Sequence, residues 1–352
     1  INGWAKEANI FSLKILDDAT TAFGVSAALT MLRSWHNLKK AANPDDSTIP
    51  IRPTIVNMSW LYLGTNTRTL TGGVWRGSSF ASTPAPSNTS LGQGHLKKYG
   101  LIPYEANGDG YWFHPVRVSS VESDIEDCIN DGIIFVASAG NHQYQIDVQG
   151  GPDYDNYFLY TGWDVGAGNL GVPNQIQYYH RGSTPVAQDG VLCVGAIDRT
   201  YTSNRENIGG YSNRGPRIDV FAPGSSIMGP ISNTSSAINT QNSINYTLDN
   251  SFKVNKLSGT SMAAPQATGI LAGLLQTRCT TKTTISKEDA FAYIKDNCEA
   301  GRLYDPTSGN PANDYDNSRA LHNAPNNFLK QPVNSTRAFA HGTSALSDLL
   351  DN

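Results

Sequence analysis

Short apolar runs alternate along the chain with segments whose apolar residues recur at helical spacing. Helical spacing predicts helices over residues 24–41, near 121–129 and over 286–297. The apolar runs predict strands with both faces buried, and the first two of them, joined by a helix, would form a parallel βαβ unit. These runs are Asn9–Leu16, Thr54–Trp60, Ile133–Ala137, Val191–Ile197 and Ile218–Phe221. The alternation predicts an α/β fold with a doubly wound, mainly parallel sheet and helices on both faces.

Two long polar stretches interrupt this alternation. Residues 61–119 show no periodicity and are rich in Gly, Ser, Thr, Asn and Pro, whereas residues 142–189 carry many aromatic side chains. Both follow strands that would border a cleft, so we expect these loop insertions to narrow access to it. The aromatic insertion fits a self-packed surface lobe or a rim that contacts a substrate or partner. Residues 1–300 are predicted to form one domain, and the polar residues 301–352 an arm or tail.

A turn of small residues, Ser258 to Pro265, leads into a helix poor in bulky side chains. The helix is predicted to begin at or just before Ser261, with Pro265 in its first turn, where a missing N–H costs nothing. The Ser261 hydroxyl would then lie at the positive end of the helix dipole, where an oxyanion is stabilised.

Two motifs of this chain resemble those of the subtilisin-like serine proteases, the subtilase family. Gly259–Pro265 is similar to the family's nucleophile motif, and Val136–Asn141 is similar to its oxyanion-asparagine motif. Weaker resemblances in the same order lie at residues 3–16, 55–60 and 191–221. The resemblance extends from Gly3 to Asn297, which is the part of the family domain that follows the catalytic Asp and His segments.

The resemblance implies a serine endopeptidase that cleaves peptide bonds through an acyl-enzyme. Ser261 would be the nucleophile, and the side-chain amide of Asn141 would donate to the oxyanion. Ser59 and Trp60 would pair with the substrate backbone as an added strand. The pocket for the residue before the cut would be lined by Ala137, Ser138, Ala139 and Gly140.

The family's catalytic aspartate and histidine precede the region that begins at Gly3, so neither is in its usual place in this chain. One explanation is an N-terminal segment, kept as a fragment or another chain, that supplies both residues. A second is a circular permutation in which His341-Gly342-Thr343 is the family's His-Gly-Thr motif. The third is a catalytically inactive relative that serves as a binding or structural component of a larger assembly.

Composition narrows the partners of this chain. The formal net charge is −4 without a basic cluster, which argues against nucleic acid or an anionic membrane and leaves a polypeptide as the expected substrate. The four cysteines are scattered and show no metal-ligand spacing. No cofactor or metal ligand is identified, and structural calcium is implied only by the family resemblance. We expect an extracellular or assembly-associated protein rather than a cytoplasmic one.

Overall fold

The computed structural model describes eleven stretches of the 352-residue chain, and the architecture below concerns these alone. They are residues 4–5, 8–15, 24–41, 53–66, 69–81, 112–163, 171–231, 243–247, 249–278, 285–305 and 321–330. The helices are α1 (Val25–Ala41), α2 (Ser119–Asn130), α3 (Thr260–Arg278) and α4 (Lys287–Asp296).

The strands fall into four sheets within the described residues. The strands of the central sheet are β1 (Ile55–Met58), β6 (Ile134–Ser138), β9 (Val191–Thr202), β10 (Arg205–Ile208), β11 (Val220–Pro223), β15 (Cys298–Ala300) and β16 (Asn327–Leu329). The others are β2 (Leu63–Asn66), β3 (Thr69–Trp75), β4 (Ser78–Ala81), β5 (Trp112–Pro115), β7 (Tyr157–Trp163), β8 (Gly171–Tyr178), β12 (Ile227–Ile231), β13 (Ile244–Tyr246) and β14 (Asp249–Leu257).

The central sheet has the strand order β1-β6-β9-β11-β16-β15, with β10 paired to β9. Strands β1, β6, β9, β11 and β16 run parallel to one another, whereas β10 is antiparallel to β9 and β15 is antiparallel to β16. The predicted α/β class with a mainly parallel sheet is therefore confirmed.

Helices cover both faces of this sheet because its strands carry apolar side chains on both sides. Along β6, Phe135 and Ala137 pack with residues of α1 and α2, whereas Ile134 and Val136 pack with residues of α3 and α4. Every residue of β6 is buried. The alternation places successive side chains on opposite faces of the sheet, and each face has its own hydrophobic core.

The two insertions contain strands, so the expected lack of regular structure was wrong for their described parts. Strands β3 and β4 from the first insertion pair with β7 and β8 from the second, in the antiparallel order β4-β3-β7-β8, which we call the lobe sheet. Strands β2 and β5, both from the first insertion, form a separate pair. The side chains of Phe80 and Phe158 are buried, so the lobe sheet packs part of its surface inward.

A buried ion pair fastens the two insertions to each other. Arg76, in the turn between β3 and β4, donates from Nε and Nη2 to the two carboxylate oxygens of Asp153 at 2.7 and 2.9 Å. Asp153 is fully buried and also accepts hydrogen bonds from Gln145 and Asn156. Its charge is thus compensated by one cation and two amide donors.

The Asp153 carboxylate makes the stability of the lobe depend on pH. Burial alone would raise the pKa of this carboxyl, but the hydrogen bonds from Arg76 and the charge of His180 hold it below its usual value. Because the pKa of this carboxyl is lower in the folded state than in the unfolded state, its ionised form stabilises the fold. The contribution is fully present above the unfolded-state pKa of about 3.9 and is lost as the pH falls through the folded-state pKa. We expect the unfolding free energy of the wild type to approach that of Asp153→Asn as the pH is lowered from 6 to 3. Urea titrations measure this difference, and a difference that stays constant over that range would contradict the assignment.

The strand predicted over Asn9–Leu16 was wrong for its described part. Residues 9–15 form no strand, and the side chains of Ile10 and Phe11 are 88% and 77% exposed. The parallel βαβ unit expected with β1 is therefore not formed among the described residues, where β1 pairs with β6 instead.

The packed core continues past the domain boundary predicted at residue 300. Strand β16 pairs in parallel with β11, and Leu321 and Leu329 are 3% exposed. Residues 321–330 of the predicted arm or tail thus contribute a strand to the central sheet, and residues 331–352 lie outside the described part of the chain.

Candidate active site

The residues of both motifs meet at the carboxyl edge of the central sheet. Asn141 follows the end of β6, Ser59 follows the end of β1, and Ser261 is the second residue of α3. Because neighbouring parallel strands end at one edge, the sheet brings together side chains that are far apart in the sequence.

Ser261 and Ser59 exchange two hydrogen bonds. The Ser261 hydroxyl donates to the carbonyl oxygen of Ser59 at 3.3 Å, and the Ser59 hydroxyl donates to the carbonyl oxygen of Ser261 at 2.9 Å. The start of α3 at Thr260 confirms the predicted helix start, but Pro265 lies beyond the first turn. Since Pro265 has no N–H, it leaves the Ser261 carbonyl without its helical donor, and the Ser59 hydroxyl takes that place.

Thr260 orients the side-chain amide of Asn141. Both the backbone N–H and the hydroxyl of Thr260 donate to Asn141 Oδ1 at 2.8 Å. The oxygen of the amide is thereby fixed toward the helix start, and its Nδ2 group has no acceptor among the described residues. Asn141 is exposed whereas Thr260 is fully buried, so a buried residue directs an exposed donor.

The loop that carries Asn141 turns sharply at Gly140. Gly140 has φ +105°, and an added Cβ would lie 2.5 Å from Asn213 Nδ2 and 2.8 Å from a Leu61 methyl group. A side chain at this position is therefore excluded both by conformation and by space. The turn sends the chain away from the sheet and leaves Asn141 at its edge.

The remaining residues predicted to bind substrate lie beside these groups. Ala137 and Ser138 end β6, and the N–H of Ala139 continues the ladder by donating to Val194 O at 2.9 Å. Trp60 is half-buried and meets Tyr62 edge to face, with ring centroids 5.7 Å apart. The structure thus brings all the predicted site residues to one region.

No histidine in the described stretches hydrogen-bonds to the Ser261 hydroxyl, whose partner there is Ser59 O. His36 bonds to Thr54 and Asp131, and His180 to Asn156. His142 follows Asn141, its ring stacks on Tyr144, and burial lowers its pKa. His95 and His341 lie outside the described residues.

Two residues at this site were missed by the sequence analysis, namely Thr260 and Asn213. Thr260 lies inside the nucleophile motif, directly before Ser261, and no local pattern marks it as a partner of Asn141. Asn213 lies in a Ser-Asn-Arg-Gly-Pro stretch that gives only a turn signal. Its contacts with the Asn141 loop arise from tertiary structure.

No group of three or more His, Cys, Asp or Glu side chains in the described part of the chain is placed to hold a metal ion. Likewise, none of the helices described is both long and apolar enough to cross a membrane.

Comparisons with known proteins agree with the motifs. The sequence matches the family model for the subtilase family over residues 1–298. Fervidolysin of Fervidobacterium pennivorans is 33% identical over 112 residues, which cover 32% of this chain and 15% of that protein. Serine protease AprX of Bacillus subtilis (strain 168) is 32% identical over 124 residues, which cover 32% of this chain and 25% of that protein.

Among solved structures, this chain is similar to a cold adapted subtilisin-like serine proteinase. The alignment covers 90% of this chain and 65% of the chain of that proteinase. The TM-score is 0.42 and the sequence identity 14%. The matches to fervidolysin and AprX span 15% and 25% of the lengths of those two proteins.

Proposed function

Because the chain belongs to the subtilase family, we propose that it carries the nucleophile and the oxyanion donor of a serine endopeptidase. Ser261 would attack the carbonyl carbon of a polypeptide substrate and form an acyl-enzyme. The observation that carries this proposal is the Thr260 link, which fixes Asn141 Oδ1 at the start of α3, one residue before Ser261, and leaves Nδ2 without an acceptor among the described residues. An amide oriented in this way donates where negative charge develops.

Two features of the site would stabilise the oxyanion. The Asn141 Nδ2 group donates a hydrogen bond to it, and the amino end of the 19-residue helix α3 adds a positive dipole. Removing an asparagine donor of this kind costs about 10²–10³ in kcat, a magnitude measured on subtilisin, a member of this family, and not on this chain. The Ser261 hydroxyl must leave Ser59 O before it can give its proton to a base.

The substrate would lie along the end of β1. Ser59 and Trp60 would pair with its backbone as an added strand. Ala137, Ser138, Ala139 and Gly140 would line the pocket for the residue before the cut. The support for these roles is that β1 and β6 are neighbouring parallel strands, so the two segments lie next to each other at the strand ends, and that Ser59 hydrogen-bonds to Ser261.

We infer that the base and its aspartate come from residues outside the described part, supplied by an N-terminal fragment or another chain. Strand β1 pairs with β6 on one side, and no described strand pairs with its other edge. Apolar side chains are also exposed on the segment before α1 and on α1 itself, namely Ile10, Phe11, Trp35 and Leu38. An additional strand along the other edge of β1 would hydrogen-bond to the backbone groups of that edge and would bring apolar side chains that cover the exposed ones.

His341 is the second candidate for the base. Strand β16 runs parallel to β11, so the chain leaves it at the edge of the sheet where Ser261 lies. The residues from Lys330 to His341 can span up to about 36–40 Å when extended. The three strand spacings from β16 to β6 amount to about 14 Å, so His341 is close enough in sequence to reach the site.

A fluorophosphonate probe tests the function and separates the two sources of the base. The complete gene product is expected to be labelled covalently, and His341→Ala to be labelled at the same rate. Loss of labelling in His341→Ala with an unchanged melting temperature would instead favour the permuted arrangement. A complete, folded gene product that is neither labelled nor able to hydrolyse casein would contradict the endopeptidase and favour a binding or structural role.

The proposed reaction needs no cofactor. Structural calcium is implied by the family resemblance alone, and no ligands for it are assigned. An extracellular or assembly-associated location remains a proposal.

A further inference from the structure

Asn213 is buried beside the loop that carries Asn141. We propose that Asn213 is a positioning residue, which holds this loop so that Asn141 can donate to the oxyanion. The inference rests on the proposed function, because it concerns the same reaction. Asn213 lies between β10 and β11, is 5% exposed, and does not contact Ser261 through any hydrogen bond.

The side-chain amide of Asn213 contacts the loop on both sides of Asn141. Its Nδ2 donates to Ala139 O at 2.7 Å. Its Oδ1 accepts from the backbone N–H groups of His142 at 3.1 Å and Tyr144 at 2.9 Å. In addition, the backbone N–H of Asn213 donates to Gly140 O at 2.9 Å. Four backbone groups around Asn141 are therefore bound by one residue.

These groups need such a partner because the chain has left the sheet. The ladder between β6 and β9 ends near Ala139, and the turn at Gly140 points the next peptide groups away from any strand. A primary amide presents one carbonyl and one amino group, so it can replace the missing peptide neighbour. An aliphatic side chain in the same space would leave the three groups bound by this amide without partners.

Asn213 is itself fixed to the central sheet. The Ser212 hydroxyl donates to Asn213 O at 2.8 Å and accepts from the N–H of Ala196 in β9 at 3.0 Å. Further along, Arg214 N donates to Tyr144 O and Ile146 N donates to Arg214 O. The loop thus takes its position from β9 through Asn213.

This arrangement predicts an effect on turnover rather than on substrate binding. The Asn213 side chain binds one carbonyl of the pocket segment, that of Ala139. Ala137 and Ser138 are held by the ladder between β6 and β9, and Ala139 N–H keeps its hydrogen bond to Val194 O without Asn213. Loosening the loop would displace mainly the Asn141 amide, whose contribution is larger in the transition state than in the ground state. Misplacing such a group can cost up to about 100-fold in rate.

The test compares Asn213→Ala and Asn213→Ser with Asn207→Ala in the complete gene product. Asn207 is also a buried asparagine, at 3% exposure, but its amide donates to Thr200 and not to the loop that carries Asn141. We expect the Asn213 variants to lose about 10- to 100-fold in kcat on a peptide substrate with KM within about twofold. Asn207→Ala is expected to keep the wild-type kcat. The serine variant keeps a small polar group and serves if the alanine variant does not fold.

A double variant separates positioning from general loss of structure. If Asn213 acts through Asn141, adding Asn213→Ala to Asn141→Ala should lower kcat no further. An additive loss, or an equal loss in Asn207→Ala, would overturn the role of Asn213 while leaving the endopeptidase intact. A folded wild type without activity would overturn the endopeptidase, and this role with it.

Discussion

Ser261→Ala is expected to abolish labelling by a fluorophosphonate and to reduce peptide hydrolysis to background. The probe forms a bond to the nucleophilic oxygen, which this substitution removes. Loss of the serine costs on the order of 10⁶ in kcat in subtilisin, a member of this family, where the value was measured. The fold should be little affected, because the hydroxyl makes one hydrogen bond at 3.3 Å.

Ser286→Ala is a matched control for this substitution. Ser286 also begins a helix, and its hydroxyl accepts from Asp289 N at 3.1 Å as the N-cap of α4. Its loss should cost about 1 kcal/mol of stability and leave the labelling rate unchanged. Labelling of Ser261→Ala at the wild-type rate would mean that the nucleophile is another residue.

Arg76→Met is expected to lower the unfolding free energy by about 3 kcal/mol or more at pH 7. The substitution removes the cation bonded to Asp153, whose side chain has no exposure to solvent. The buried carboxylate would keep its two amide donors but lose its compensating charge. Urea unfolding measures the change, and adding Asp153→Asn should recover part of the loss because it removes the buried charge.

Arg181→Met gives the comparison within the same lobe. The guanidinium group of Arg181 lies over the rings of Tyr154 and Tyr178 and pairs with Asp155. The Asp155 side chain is 80% exposed, so this pair is solvated, and the loss should stay near 1 kcal/mol. If Arg76→Met costs no more than Arg181→Met, the ion pair does not fasten the two insertions.

The helix start at Ser261 and the strand before Asn141 could be predicted because their signals are local. A run of small residues predicts a closely packed helix, and a run such as Ile133–Ala137 predicts a strand buried on both faces. The helix predicted over 286–297 is confirmed as α4, with Ser286 as its N-cap. These features depend on residues a few positions apart.

The apolar run at residues 9–15 failed as a strand because a strand needs a neighbour. Apolar composition favours burial, but the ladder hydrogen bonds come from another segment, and none of the described segments supplies them. The lobe sheet, in contrast, formed where no strand was predicted. Val74 and Tyr157 pair across two insertions that each looked irregular, and no local pattern marked either partner.

Local sequence patterns were sufficient to predict the α/β class, the family motifs and the helix that begins beside Ser261. How the groups at that helix interact became apparent only from the folded chain. Ser59 fills the position of the N–H that Pro265 lacks, Thr260 orients Asn141, and Asn213 binds its loop. The physical reason is that a hydrogen bond depends on distance and direction, which the fold sets between residues as far apart as Ser59 and Ser261.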